Sequence, residues 1–523
     1  MKMKRYILAG LSGVLMVIIF PGINISHAAW FALVPLLIAI HDANWKQALI
    51  SGFITGIIYF GGTLNWFMSL HPYSSLFWVI LGFALLMLYL SSYVFIFAVS
   101  VNFINRLWRP ASSREYLASS FLAAVVWTGL EILRGYVVTG FPWMCLGHSQ
   151  WANLPIIQIS SLTGMYGVTF LVVIVNAAIA NFLIDISRWR SSAKAAAVPV
   201  ALVIICLVYG GIALSESPRG EKIKVALVPG NIKQMDKLRS WRTGPEWILR
   251  KYIRITDKAA AEKPDMIIWP ETCIPDYMFS RNMVQEELKS AVQRWNSYLL
   301  MGTPHVERSP ERRIYNASFL LSPAGEIVDS YYKIHLVPVS EYFPMKRYLP
   351  ESWQELVSGV SDWDMGSKHT IFSAPPARFG VVICFESIFP GIFRKFVSKD
   401  VNLMGIITND AWFEGTYAPE QHYSMAPFRA VENRVSVFRC ANYGISCIID
   451  AWGRVAKNIE PDKGEDYLVG ELSLRKGGTF YTRHGDYLPW ACLAMTLFLI
   501  FQTWRLDILF SRREKSVIQY TEK

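Results

Sequence analysis

A chain of 523 residues is too long for one ordinary core and points to two or more domains. Hydrophobic residues make up 53% of it and charged residues 17%, against about 25% charged in an average soluble domain, and the mean hydropathy is +0.28. That balance excludes an ordinary soluble protein. The net charge of +11 fits basic loops beside anionic lipid better than nucleic acid, since no nucleic-acid motif interleaves the basic and aromatic residues.

The first 215 residues run as seven apolar stretches, at 6–22, 28–41, 48–67, 76–104, 117–137, 160–185 and 195–215. Several approach the length of about 20 residues that crosses a bilayer. The first follows Lys2, Lys4 and Arg5 and reads as an uncleaved anchor, because more spans follow at once. Alternate loops carry the basic residues: Lys46, then Arg106, Arg109 and Arg114, then Arg188, Arg190 and Lys194. This pattern predicts a cytoplasmic N-terminus and places the segment after residue 215 outside the cytoplasm. Glu131 and Arg134 are the clearest charges inside the spans, too few for an ion pathway.

From Glu221 to about Leu474 charges become frequent and apolar runs shorten to strand length. Lys222–Val228, Met266–Trp269, Tyr298–Met301, Ala317–Leu321, Gly380–Cys384, Gly405–Thr408 and Gly444–Asp450 read as strands. Glu246–Glu262, Met283–Trp295 and Gln421–Asn433 read as helices, so 219–478 is expected to be an α/β domain. A last apolar run, Leu488–Thr503, predicts an eighth span within 479–510, followed by a basic cytoplasmic tail, 511–523. The expected fold is a polytopic α-helical membrane domain over 1–218, about eight spans in all, joined to an α/β domain. The seven cysteines, Cys145, Cys206, Cys273, Cys384, Cys440, Cys447 and Cys492, show neither zinc spacing nor a disulfide framework. No metal and no cofactor is expected.

Three places in the α/β region carry reactive groups at the ends of apolar segments. Ile267-Ile268-Trp269-Pro270 ends in Glu271; Tyr331-Tyr332 runs into Lys333; and the run Phe379–Ile383 ends in Cys384, followed by Phe385, Glu386 and Ser387. Strand ends are where open α/β sheets place chemistry. Each group alone is unremarkable: a single Cys is most often an inert buried residue, and an exposed Glu or Lys a solvated one.

In this order, with 62 residues from Glu271 to Lys333 and 51 from Lys333 to Cys384, they resemble the Glu-Lys-Cys enzymes of the nitrilase superfamily. With seven spans before the domain and one after it, the whole chain resembles their membrane-bound branch, the apolipoprotein N-acyltransferase family. Further stretches carry the likeness: Pro229-Gly230-Asn231-Ile232 with Gln234; His335-Leu336-Val337-Pro338 to Glu341-Tyr342; Thr408-Asn409-Asp410-Ala411-Trp412-Phe413; Gln421-His422; Arg429-Ala430; Asn442-Tyr443-Gly444; and Gly140-Phe141-Pro142-Trp143 with Leu146-Gly147. The resemblance implies a four-layer α-β-β-α sandwich. It implies Cys384 as nucleophile, Glu271 as proton acceptor and Lys333 as the cation that stabilises thiolate and oxyanion. Glu341 would orient Lys333 or move a proton, with Glu386 and Phe385 as supporting neighbours. Trp241, Trp412 and Phe413 would bind substrate, and 342–353 and 412–417 would face acyl chains.

The implied substrates are a phospholipid acyl donor and the diacylglyceryl cysteine of an apolipoprotein. The implied setting is the bacterial inner membrane, with membrane lipids as neighbours, no nucleic acid, and a monomer. The sequence departs from the family at three places: Phe385 stands where Tyr is usual, Pro427 where Arg is common, and Ser340 where Gly is frequent. A tethered amidase using water, or an N-acyltransferase with another acceptor, shares the same three reactive groups.

Overall fold

The structure is a computed structural model. It describes residues 2–107, 110–217, 220–277, 282–308, 312–343, 346–348, 350–351, 363–461 and 466–502. The expected basic tail, 511–523, lies outside them. The chain forms two compact units: one from Met1–Gln150, Met165–Val208 and the stretch from Asp486 on, the other from Trp151–Gly164 and Tyr209–Gly485.

The first unit is helical. Among the described residues four helices are long and apolar enough to cross a membrane: Leu76–Arg106, Ser113–Arg134, Met165–Ile184 and Ile186–Ser215. The other expected spans are helical too, over Lys2–Ile18, Ser26–His41, Trp45–Thr63 and Tyr487–Gln502, but are shorter or less apolar. Side chains set the helix ends. Asn44 and Ser112 accept backbone N–H groups three residues on, and Gln47 and Glu115 reach back to them, which stops the chain from fraying into the preceding loop.

Helix Trp45–Thr63 packs backbone to backbone on Leu76–Leu107. A Cβ on Gly52 would lie 2.6 Å from the Phe95 Cα, and one on Gly56 2.8 Å from the Ser91 Cα, so this four-residue spacing of glycines sets the approach. Glu131 and Arg134 are hydrogen-bonded within this unit. Glu131 accepts from the Trp127 indole (3.0 Å), the Leu146 N–H (2.7 Å) and the Thr169 hydroxyl (2.8 Å). Arg134 donates to the Trp143 carbonyl and the Cys145 sulfur, both at 3.1 Å. The pair staples the irregular turn around Gly140–Gly147 by satisfying polar groups that an apolar environment would leave costly.

The second unit contains twelve strands: β1 (Lys222–Leu227), β2 (Met266–Ile268), β3 (Tyr298–Glu307), β4 (Arg313–Leu321), β5 (Ile327–Tyr332), β6 (Phe372–Ala374), β7 (Ala377–Ile383), β8 (Leu403–Asn409), β9 (Ser436–Asn442), β10 (Ser446–Ile449), β11 (Val455–Ile459) and β12 (Leu468–Ser473). They make two six-stranded sheets, ordered β12-β1-β2-β3-β4-β5 and β11-β10-β9-β8-β7-β6. The central pairs β1–β2, β2–β3, β7–β8 and β8–β9 are parallel.

Alternation along the strands shows the layering. Val225, Leu227, Met266, Ile268 and Leu300 pack with the residues of the second sheet, such as Val381 and Ile407. Their neighbours Ala226, Ile267, Leu299 and Met301 pack instead on helices Glu246–Ala260 and Asn282–Trp295, through Leu249, Tyr252, Leu288 and Val292. Phe393 and Phe396 of Pro390–Val397, with Ala426 and Ala430 of Ala426–Asn433, cover the far side of the second sheet. This is the nitrilase-like sandwich of helix, sheet, sheet and helix.

The expected helix Gln421–Asn433 is two helices, Ala418–Ser424 and Ala426–Asn433, because Pro427 lacks the N–H that would continue the first. Strands β5, β6, β9, β11 and β12 were not among the expected ones. The first sheet is longer than its apolar runs suggested because β5 reads as polar: Ile327, Val328 and Asp329 face solvent.

Candidate active site

Four strand ends meet at the site. Glu271 lies just past β2, Lys333 directly past β5, Cys384 directly past β7, and Asn409 ends β8. β3 leaves room for the turn after β2: a Cβ on Gly302 would sit 2.7 Å from the Glu271 Cα and 2.8 Å from the Pro270 carbonyl. Cys384 has φ 52°, a left-handed conformation that costs a non-glycine residue about 1–3 kcal/mol and persists only where the surroundings hold it. It begins the short turn Cys384–Ile388.

Lys333 contacts both Glu271 and Glu341; Lys333 and Glu271 are buried and Glu341 is partly exposed. The Lys333 ammonium lies 2.9 Å from Glu341 Oε1 and 3.6 Å from Glu271 Oε1. Both carboxylates are held from their far sides: the Asn409 N–H donates to Glu271 Oε2 and the Val337 N–H to Glu341 Oε2, each at 2.8 Å. The Asn316 amide bridges the pair, donating to Glu271 Oε1 (2.7 Å) and Glu341 Oε1 (2.8 Å). Burial alone would lower the basicity of Lys333, but Glu341, then Glu271 and Cys384, outweigh it and hold the ammonium above its ordinary value. The Cys384 thiol is pushed up, first by burial and then by the charge of Glu271, with Lys333 pulling the other way. A thiol so placed ionises only with a base beside it and a cation to receive the negative charge.

Glu386, expected to support the nucleophile, clips it to the Lys333 loop. It is fully buried, and its carboxyl accepts from the Tyr331 hydroxyl (2.8 Å) and the N–H groups of Ile334 (2.7 Å), His335 (3.0 Å) and Ile383 (2.7 Å). Burial outweighs the opposing pull of its hydrogen bonds and Lys333 and leaves it at about 7. Between about pH 4.5 and 7 the folded protein thus binds this proton more strongly than the unfolded chain, so its contribution to stability falls as pH rises. The stability advantage of the wild type over Glu386→Gln is expected to shrink from pH 5 to pH 8. Melting temperatures of both proteins across that range check it; an advantage that grows with pH refutes it.

The remaining expected residues lie around this centre. Phe385 packs edge-on to Phe389 (5.2 Å between rings) and beside His335 (5.9 Å). Trp241 is exposed and meets the Tyr277 ring at 5.6 Å. Trp412 and Phe413 are half-buried on the turn Asp410–Phe413. Of the 342–353 segment, residues 344–345, 349 and 352–353 lie outside the described residues. Cys273, two residues past Glu271, is a free buried thiol on the helix side of the first sheet, whereas Cys384 packs on the side between the sheets.

Model matches place residues 12–178 in the Apolipoprotein N-acyltransferase N-terminal domain and 224–480 in Carbon-nitrogen hydrolase. A Geobacter metallireducens protein named apolipoprotein N-acyltransferase is 38% identical over 502 residues, 94% of each chain. The chain belongs to the apolipoprotein N-acyltransferase family. A Chlorobaculum tepidum member is 30% identical, with 94% of this chain and 95% of that one aligned. A solved nitrilase-superfamily structure, Nit3 of Saccharomyces cerevisiae, is 21% identical at a TM-score of 0.38, covering 49% of this chain and 92% of that one.

Sequence reasoning missed Asn316 and Lys237 at this family member's site. Asn316 sits inside β4, where it reads as one polar residue in a strand. Lys237 is buried, with its ammonium 3.4 Å from the Glu271 carbonyl and 3.3 Å from Asn409 Oδ1. Asn316→Leu removes both amide donors from two carboxylates that share one lysine. It is expected to slow single-turnover acylation about 10²-fold while costing about 1–3 kcal/mol of stability, checked by rapid-quench kinetics and chemical denaturation.

Proposed function

We propose that this chain moves an acyl chain from a phospholipid, through a thioester on Cys384, to the N-terminal α-amine of a diacylglyceryl cysteine on an apolipoprotein. The observation that carries this reading is the contact of the buried Lys333 with Glu271 and Glu341 beside a strained Cys384, in a member of this family.

Glu271 takes the Cys384 proton as the sulfur attacks the ester carbonyl. An ammonium has three hydrogens; two of those on Lys333 face carboxylates, and the third serves the developing oxyanion. Collapse breaks the ester C–O bond, and Glu271 returns the proton to the departing lysophospholipid oxygen. The acceptor amine then attacks the thioester, giving up a proton to Glu271. The C–S bond breaks, and the Cys384 thiolate recovers a proton from Glu271. No metal, nucleotide or oxidant enters the balance.

The helix Gln234–Thr243 supports a lipid substrate. Its polar residues Gln234, Lys237 and Ser240 are buried, while Met235, Leu238 and Trp241 are exposed. An apolar row turned outward is suited to acyl chains rather than to water. It favours the acyltransferase reading over an amidase acting on a soluble substrate, and fits Trp241, Trp412 and Phe413 as lipid contacts. The charge pattern of the loops supports a bacterial inner-membrane setting with both termini cytoplasmic and the Cys384 unit outside. The reaction needs only one copy of the chain.

Incubation of the purified full chain with phospholipid vesicles, followed by intact-mass measurement, tests this reading. One added acyl mass is expected, discharged as an amide when a diacylated lipopeptide is supplied. A protein that never gains acyl mass yet hydrolyses small amides refutes it.

A further inference from the structure

Behind the nucleophile lies a second buried polar chain. Asp410 accepts from Arg439 Nη2 at 2.7 Å through Oδ2, and from the Thr408 hydroxyl at 3.0 Å through Oδ1. The same Oδ1 lies 3.0 Å from His422 Nδ1. His422 Nε2 is 2.7 Å from the Ser387 hydroxyl, and Ser387 donates to the Cys384 carbonyl at 2.8 Å. All five of these side chains are buried. Burial would raise the Asp410 carboxyl, but Arg439 and then His422 hold it well below the ordinary carboxylate range. It is therefore an acceptor only, and Arg439 Nη2 also lies 3.3 Å from the same imidazole nitrogen.

One end of this chain finishes on Cys384. Ser387 grips its carbonyl, and Thr408 sits at the other end of the chain, donating to Asp410. Cys384 is the residue that must be held at a φ of 52°, where an L side chain is disfavoured. Glu386 secures only the preceding N–H, at Ile383, so the carbonyl side of the strained residue depends on Ser387. The four elements involved are the ends of β7 and β8, the helix Ala418–Ser424 and β9, so residues distant in the chain converge on one peptide group.

We infer that Ser387, His422 and Asp410 are positioning residues for the nucleophile, a relay that fixes the Cys384 carbonyl and so keeps the thiol and the peptide after it aimed at the acyl carbonyl. None of the three touches substrate; they act through Cys384. The inference rests on the reading of Cys384 as nucleophile.

Single-turnover acylation of the full chain on phospholipid vesicles, followed by intact mass, separates rate from active fraction. Ser387→Ala and His422→Gln are each expected to lower the acylation rate constant about 10²-fold, as misaimed reacting groups do, while the final acyl-enzyme fraction stays at the wild-type level. A protein merely destabilised would lose amplitude and keep its rate. Because the two residues form one relay, the double variant is expected to be no slower than the slower single variant. Wild-type rate constants in Ser387→Ala, a loss confined to amplitude, or additive losses in the double variant would each overturn the proposal. Cys384→Ala is the control: acyl mass on that variant defeats the nucleophile reading itself, independently of the relay.

Discussion

Replacing Cys384 with alanine is expected to leave a folded protein that takes up no acyl mass and forms no amide with a lipopeptide. The sulfur is the only atom in the site that forms the proposed thioester, so no neighbouring group supplies a substitute path. Alanine at this position carries the same left-handed backbone strain as cysteine, and the thiol is only half-buried, so the melting temperature should move little. The check is intact mass with phospholipid beside a thermal melt. Acyl mass retained on the variant sinks the assignment, and a collapse of the melt shows that the thiol is structural.

The second large effect is expected from Lys333→Met. The lysine lies between Glu271 and Glu341 with 1% of its side chain exposed. Removing it leaves the buried Glu271 and the partly exposed Glu341 without their shared cation, a change worth about 3–5 kcal/mol when a buried pair is broken. One of the two is then expected to hold a proton, which takes the proposed base away together with the proposed oxyanion donor. Lys333→Met should therefore lose both stability and acylation. Adding Glu341→Gln removes one of the facing charges, so the double variant is expected to regain much of the stability and none of the activity. Chemical denaturation and single-turnover acylation of both variants check it. Recovery of acylation in the double variant would show that Lys333 matters only as a counter-ion to Glu341.

Much of the site was legible because its members sit at the ends of apolar runs. Glu271, Lys333 and Cys384 each follow a strand whose hydrophobic residues are read directly, and their order and flanks carry the family likeness. Glu341 was legible through the same motif, and it lies 2.9 Å from the Lys333 ammonium. Glu386 was found by adjacency to Cys384, but its work was not. Its four donors come from Tyr331, Ile334, His335 and Ile383, three of them some fifty residues away in the chain. Asn316 had no signal, since a single polar residue in a buried strand looks alike whether it faces a helix or a pair of carboxylates.

The sequence by itself determined the apolar frame, the α/β alternation of the second unit and the identity of the reactive groups, because hydropathy and period are local properties. It also determined that β7 ends at a thiol. The tertiary structure alone decided that this thiol is held at a left-handed turn, that one lysine serves two carboxylates, and that Ser387, His422 and Asp410 close on the same peptide group. Those facts depend on which strand ends become neighbours across two sheets. Charge, burial and hydrogen-bond direction have meaning there only once residues far apart in the chain share a few ångströms of space.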